Sequence, residues 1–289
     1  KKALIDAYSP LRQGTTTQAV GKELASAKTM GEMNISPALS PDGNYLAYIS
    51  SKNIISIDIF IADANTGKIV NKIASEAFGG HVDSYSFLET AGTWSPDSRK
   101  FAVVVQVKGK NKLVVLDLAR DSKRTYELKG VDSFTNPAWS PNGDEIVVSG
   151  LMDGSSDLYL FDLKNEAVKN LTTDDYSDIQ PSWSPDGRWI YFVSDRSQLT
   201  SRLEKANFSI SRLNIETKQL ENFSFFAGAD NLNPVVSPDG NEIYFLSDRD
   251  GFRNLYSYNI ESKQLEQLTN YFTGISGITL YSPAITISQ

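Results

Sequence analysis

The chain has 289 residues and a formal net charge of −7, from 28 Lys and Arg against 35 Asp and Glu. With 40% hydrophobic and 22% charged residues it has the composition of a globular protein that can bury a sizeable core, and it lacks the basic footprint of a nucleic-acid binder. It has no Cys and a single His, His81, which excludes thiolate nucleophiles, Cys-ligated zinc, iron–sulfur clusters, disulfides and paired-His metal sites.

The first residues, Lys1–Pro10, carry no apolar core of a secretory signal, and no stretch approaches the roughly 20 apolar residues of a membrane helix, so no membrane insertion is expected. From residue 33 onward the chain repeats itself. Ser-Pro-Asp-Gly or a near copy occurs at Ser40–Gly43, Ser95–Ser98, Ser140–Gly143, Ser184–Gly187 and Ser237–Gly240. Four copies have a second Pro four residues before the motif Pro, at Pro37, Pro137, Pro181 and Pro234; the remaining copy has Gly92 there. Leu39, Trp94, Trp139, Trp183 and Val236 immediately precede the motif Ser.

The tetrapeptide has turn chemistry: Pro presets φ, Asp or Asn accepts backbone N–H bonds, and Gly allows positive φ. After each copy come a β run, a polar turn, a second β run ending in Asp or Asn, and a short closing strand. The fourth copy shows the whole series, with Trp189–Val193, the turn Ser194–Arg196, and Ser209–Asn214. Each unit therefore reads as a four-stranded antiparallel meander. Such a sheet cannot bury both its faces alone, whereas units set radially about an axis can, which gives an all-β, β-propeller fold.

These residues resemble the TolB-type propeller repeat, a relative of the WD repeat. Pro-x-Trp-Ser-Pro-Asp-Gly followed by Ser-Asp-Arg is matched best from Pro181 to Arg196. Blades are expected near residues 33–75, 90–130, 134–173, 178–226 and 231–270. A partial sixth starts at 279, because Tyr281–Ile287 aligns with Ile35–Pro41; a six-bladed propeller with five complete repeats is the expectation. Residues 1–31 are expected to form an N-terminal linker or extension before a propeller of residues 32–289. They either close the last blade or end a preceding domain in a longer chain. The resemblance implies a periplasmic or cell-envelope location and a non-catalytic role in binding a protein or peptide, with contacts to flanking domains. The alternative it implies is an accessory propeller that gates substrate for a peptidase whose catalytic domain lies outside these residues.

No catalytic, metal or cofactor residues are expected. His81 reads as a loop residue, because one imidazole needs several partners to make a site. Gly274-Ile-Ser-Gly277 lacks the spacing of a nucleophile elbow. The Asp-rich stretches at Asp174–Asp175, Ser194–Arg196 and Asp248–Asp250 lack the converging oxygens that Ca²⁺ needs and read as turn acids. The structural repeat is assigned to Pro41, Asp42, Gly43, Trp94, Pro96, Asp97, Trp139, Pro141, Trp183, Pro185, Asp186, Gly187, Pro238, Asp239 and Gly240. The three Trp of one repeat position are expected in the core between blades, with Trp189 on the other face of its strand. Specific function is sought in the departures from the repeat, the insertions Ala74–Ala91 and Gln198–Asn207. Phe78, His81, Tyr85 and Phe87 in the first are the candidate partner-binding residues.

Overall fold

Every tetrapeptide folds by the same set of hydrogen bonds. In the first copy the Ser40 hydroxyl donates to Asp42 Oδ1 at 2.6 Å and accepts the Tyr45 N–H at 2.8 Å; Asp42 Oδ1 also accepts the Asn44 N–H, and the Gly43 N–H returns to the Ser40 carbonyl. The same Ser-to-acid bond measures 2.6 Å at Ser95–Asp97, Ser140–Asn142, Ser184–Asp186 and Ser237–Asp239. Gly43, Gly143, Gly187 and Gly240 take φ between 69° and 82°, which is why glycine recurs there. The second copy has Ser98 in its place, at φ 59°, and its hydroxyl accepts the Asp42 N–H of the preceding blade at 3.1 Å.

The computed structural model describes residues 21–26, 33–53, 56–73, 82–84, 92–131, 133–152, 154–196, 207–277, 279 and 282–288. The turns join strands into successive antiparallel meanders. Blade 1 is β1 (Asn34–Leu39), β2 (Tyr45–Asn53), β3 (Ser56–Asp63) and β4 (Ile69–Ile73). In blade 2 the inner strand is in two pieces, β5 (Val82–Ser84) and β6 (Thr93–Trp94), both paired to β7 (Lys100–Val107); β8 (Lys110–Asp117) and β9 (Ser122–Tyr126) follow. Blade 3 is β10 (Ser133–Trp139), β11 (Glu145–Met152), β12 (Ser155–Asp162) and β13 (Val168–Asn170). Blade 4 is β14 (Asp178–Trp183), β15 (Trp189–Ser194), β16 (Ser209–Asn214) and β17 (Leu220–Phe223). Blade 5 is β18 (Asn231–Val236), β19 (Glu242–Ser247), β20 (Asn254–Asn259) and β21 (Leu265–Gln267).

The second and third strands of blade 2 are buried on both faces, so they read as unbroken apolar runs. Phe101, Val103 and Val105 of β7 pack on Ile49, Ile59 and Ile61 of blade 1, while Ala102 and Val104 face Phe134, Ile146 and Val148 of blade 3. The repeat-position Trp residues sit in successive inter-blade cores, Trp94 with blade 1, Trp139 with blade 2 and Trp183 with blade 3. Two of them also lock the ring: Trp94 Nε1 donates to the Ala38 carbonyl at 2.9 Å, and Trp183 Nε1 to the Ala138 carbonyl at 3.1 Å. Trp94→Phe removes the first of these buried hydrogen bonds between blades, so it should lower stability by about 0.5–1.5 kcal/mol in urea denaturation. Trp189 lies apart from this series, facing blade 5, with the Arg212 guanidinium 4.3 Å from its ring centre.

The expected six blades are corrected to five among the described residues. Residues 282–288 read Ser-Pro-Ala-Ile-Thr-Ile-Ser, without the tetrapeptide that would turn the chain back on itself. They run beside the axis and pair with no strand among the described residues. Side chains tie them to both neighbours: Ala284 N–H donates to Asn233 Oδ1 of blade 5, and Leu39 N–H of blade 1 donates to Thr286 Oγ1. Of the N-terminal extension, residues 21–26 are irregular and lie on blade 1, where Ala25 covers Tyr48 and Phe60 and Lys22 bonds the Asn65 carbonyl.

Candidate interaction surface

The meander fixes which connections share a face. Inner strands end at the tetrapeptide turns, so those turns and the links between third and fourth strands lie on one face. The links between second and third strands, and those between blades, lie on the other. Both insertions found in the sequence, after β4 and between β15 and β16, leave from this second face. The first also contributes β5, which adds to the far end of β7 through Val82–Val107 and Ser84–Gln106 pairing. Phe78, His81, Tyr85 and Phe87 lie outside the described residues.

On the tetrapeptide face the repeated acids are occupied by their own turns. The Ser95 hydroxyl, joined by the Arg99 N–H and opposed by slight burial, holds the Asp97 carboxyl below the usual carboxylate range. Asp239 is held down in the same way, first by the Ser237 hydroxyl and then by the Asn241 backbone. Charge-assisted bonds of this kind favour the ionised form and leave the acids committed to structure.

Along the axis the five motif prolines, Pro41, Pro96, Pro141, Pro185 and Pro238, collar a cavity of about 270 Å³. Each of four inner strands enters it through a bulge in which the residue before Pro takes positive φ: Ser36 at 54°, Asn136 at 48°, Gln180 at 53° and Asn233 at 52°. Gln180 Oε1 accepts the Asn233 N–H, so adjacent bulges interlock. The polar residue before Pro in each copy is the sequence signal for this ring. The lining carries prolines, Trp94, Trp139, Trp183, aliphatic and amide side chains and the hydroxyls of Thr93, Ser182, Thr286 and Ser288, with no ionisable group among its described residues.

The insertion face does carry a buried ion pair. Arg196, in the turn after β15, meets both oxygens of Asp178 at 2.6 and 2.7 Å, Asp174 at 3.2 Å, and through Nε the Ser194 hydroxyl. Its side chain is 7% exposed, and that of Asp178 0%. Burial pushes the Asp178 carboxyl up to about 6, against the pull of Arg196. The guanidinium fills the space that an Asp-rich reading would give to a cation. The other Asp-rich turn is used similarly: Asp248 accepts the Asp230 N–H, and Asp250 pairs with Arg249. No cluster of His, Cys, Asp and Glu able to hold a metal occurs among the described residues, and no helix there is long and apolar enough to cross a membrane.

Comparison with known proteins agrees with this architecture. The TolB beta propeller domain matches residues 81–201. A protein named TolB homolog from Chlorobium chlorochromatii is 28% identical over 183 residues, 62% of this chain and 41% of its own. The Tol-Pal system protein TolB of Francisella tularensis subsp. mediasiatica is 24% identical over 226 residues, 77% of this chain and 47% of its own. The chain thus spans less than half the length of either relative. Among solved structures, a putative TolB from Agrobacterium tumefaciens superposes with a TM-score of 0.67 at 24% identity, over 88% of this chain and 86% of that one.

Proposed function

We propose that this TolB-like β-propeller is a non-catalytic protein-interaction scaffold of the bacterial cell envelope, located in the periplasm. The observation that carries the reading is the axial cavity. A site that moves protons or activates a hydroxyl needs an acid or base at its wall, and this collar presents proline rings, indoles, amides, aliphatic groups and Ser and Thr hydroxyls with no ionisable group beside them in the lining. The turn acids on the same face are already held by hydroxyls and backbone N–H groups.

Recognition is assigned to the opposite face, where the departures from the repeat emerge, with Phe78, His81, Tyr85 and Phe87 as contacts for a protein or peptide partner. A likeness to a Tol-Pal system protein supports an envelope protein as that partner. The test is crosslinking of the purified chain in envelope extract, with partners identified by mass spectrometry. A variant carrying Phe78→Ala, Tyr85→Ala and Phe87→Ala should lose a partner that Asp97→Asn keeps. Equal capture by both variants, or a measurable hydrolytic activity of the isolated chain, would overturn the proposal.

A further inference from the structure

The third tetrapeptide is the one copy that reads Ser-Pro-Asn-Gly, and its geometry is that of the four acidic copies. Ser140 Oγ donates to Asn142 Oδ1 at 2.6 Å, and the Asp144 N–H reaches the same oxygen at 2.9 Å. The matching bonds to Asp42, Asp97, Asp186 and Asp239 are 2.6 Å from the hydroxyl and 3.0–3.1 Å from the backbone. Asn142 is exposed, and Gly143 brings no side chain to shield its amide nitrogen. The turn therefore holds, in neutral form, a side chain whose acid would fit the same donors.

We propose that Asn142–Gly143 is a self-modification site: water converts Asn142 to aspartate, and the fold steers the product to the normal peptide linkage. The Gly143 nitrogen attacks Asn142 Cγ. The new N–Cγ bond replaces the Cγ–Nδ2 bond, and ammonia departs with the proton given up by the Gly143 N–H. Water then opens the cyclic imide. Breaking the Cγ–N bond gives aspartate, and breaking the bond from the main-chain carbonyl carbon to nitrogen gives isoaspartate. No oxidant or reductant enters.

The steering comes from the turn. Aspartate keeps the Gly143 N–H on the Ser140 carbonyl at 3.0 Å and keeps Gly143 facing Pro96 of blade 2, whose Cδ lies 3.9 Å from where a Cβ on Gly143 would stand. Isoaspartate puts an extra methylene into the backbone between these two anchors and breaks both. Because the two products interconvert through the imide, the folded chain draws the mixture toward aspartate. The same Gly143 hydrogen bond ties down the nucleophile, so reaction waits on local opening of the turn and runs at least about tenfold slower than in the unfolded chain. The product adds a carboxylate beside Asp144, in the one copy that has an acid where the others have Asn44, Arg99, Arg188 and Asn241.

The experiment incubates the folded chain, and separately the chain in urea, at mildly alkaline pH. Peptide mapping and isoaspartate-specific methyl labelling then report both products at position 142. Asn142→Asp supplies the reference peptide, and Asn142→Gln the unreactive control. The expected result is conversion in both samples, slower in the folded one, with aspartate dominant when folded and isoaspartate dominant when unfolded. Two results overturn the proposal: no conversion in the folded chain after the unfolded one is exhausted, or isoaspartate dominant in both.

Discussion

Arg196→Ala should destabilise the chain by about 3–5 kcal/mol, read as a lower midpoint in urea denaturation, and adding Asp178→Asn should return most of that loss. The cost comes from the partner left behind. Asp178 is fully buried at the start of β14, and without the guanidinium its charge has no counterion there. Blade 5 offers a built-in comparison. Its turn also reads Ser-Asp-Arg, but the residue at the start of its inner strand is Asn231 instead of Asp. Arg249 accordingly stays outside, 45% exposed, over the Phe226 ring at 4.3 Å. Arg249→Ala should therefore change stability by less than about 1 kcal/mol. The pH dependence has a definite sign. The folded Asp178 carboxyl, at about 6, lies above its ordinary 3.8. Its contribution to stability is thus complete below 3.8 and is lost as pH rises through about 6. Removing Arg196 takes away the one cation opposing burial, so the deficit of Arg196→Ala should be larger at about pH 8 than at about pH 5.

The parts of the fold that repeat were legible because the same physics is solved once per blade. A Ser, an acid and a Gly at fixed spacing can satisfy the backbone of a tight turn, and a Trp two positions before the motif Pro reaches the neighbouring sheet. A sixth blade is suggested because Ser282-Pro283-Ala284 reproduces the start of a unit, although Thr286–Gln289 does not continue into the tetrapeptide turn. The Asp178–Arg196 pair is not legible in the Ser-Asp-Arg turn alone, which blade 5 shares. Its signal is a difference at one register position, where Asn34, Phe134 and Asn231 are neutral and Asp178 is not, and register is set by pairing across the sheet. The glycine that interrupts the proline series at position 92 was visible in the sequence, but its cause was not.

That cause yields the second large effect. Replacing Gly92 with the proline of the other copies looks like a repair toward the repeat, and such changes often stabilise. Here it should do the opposite. Gly92 has φ 79°, whereas proline is confined near −65°. A Cβ at this position would lie 2.5 Å from Phe101 Cζ and 2.8 Å from the Ala102 carbonyl oxygen. Phe101 is fully buried, edge-on to Trp94 at 5.2 Å, and cannot yield without opening the core between blades 1 and 2. Gly92→Ala should cost about 2–5 kcal/mol, the sum of overpacking and left-handed backbone strain, and Gly92→Pro more. The two contributions separate in a double-mutant cycle. Phe101→Leu removes the ring atoms and should recover part of the Gly92→Ala loss, leaving the share due to φ and to the Ala102 carbonyl. It should recover little of the Gly92→Pro loss, because a smaller neighbour does not change the sign of φ. If Gly92→Pro instead raises the urea midpoint, the inner strand of blade 2 must run as it does in the other blades, and Phe101 must be able to give way without opening the core between blades 1 and 2.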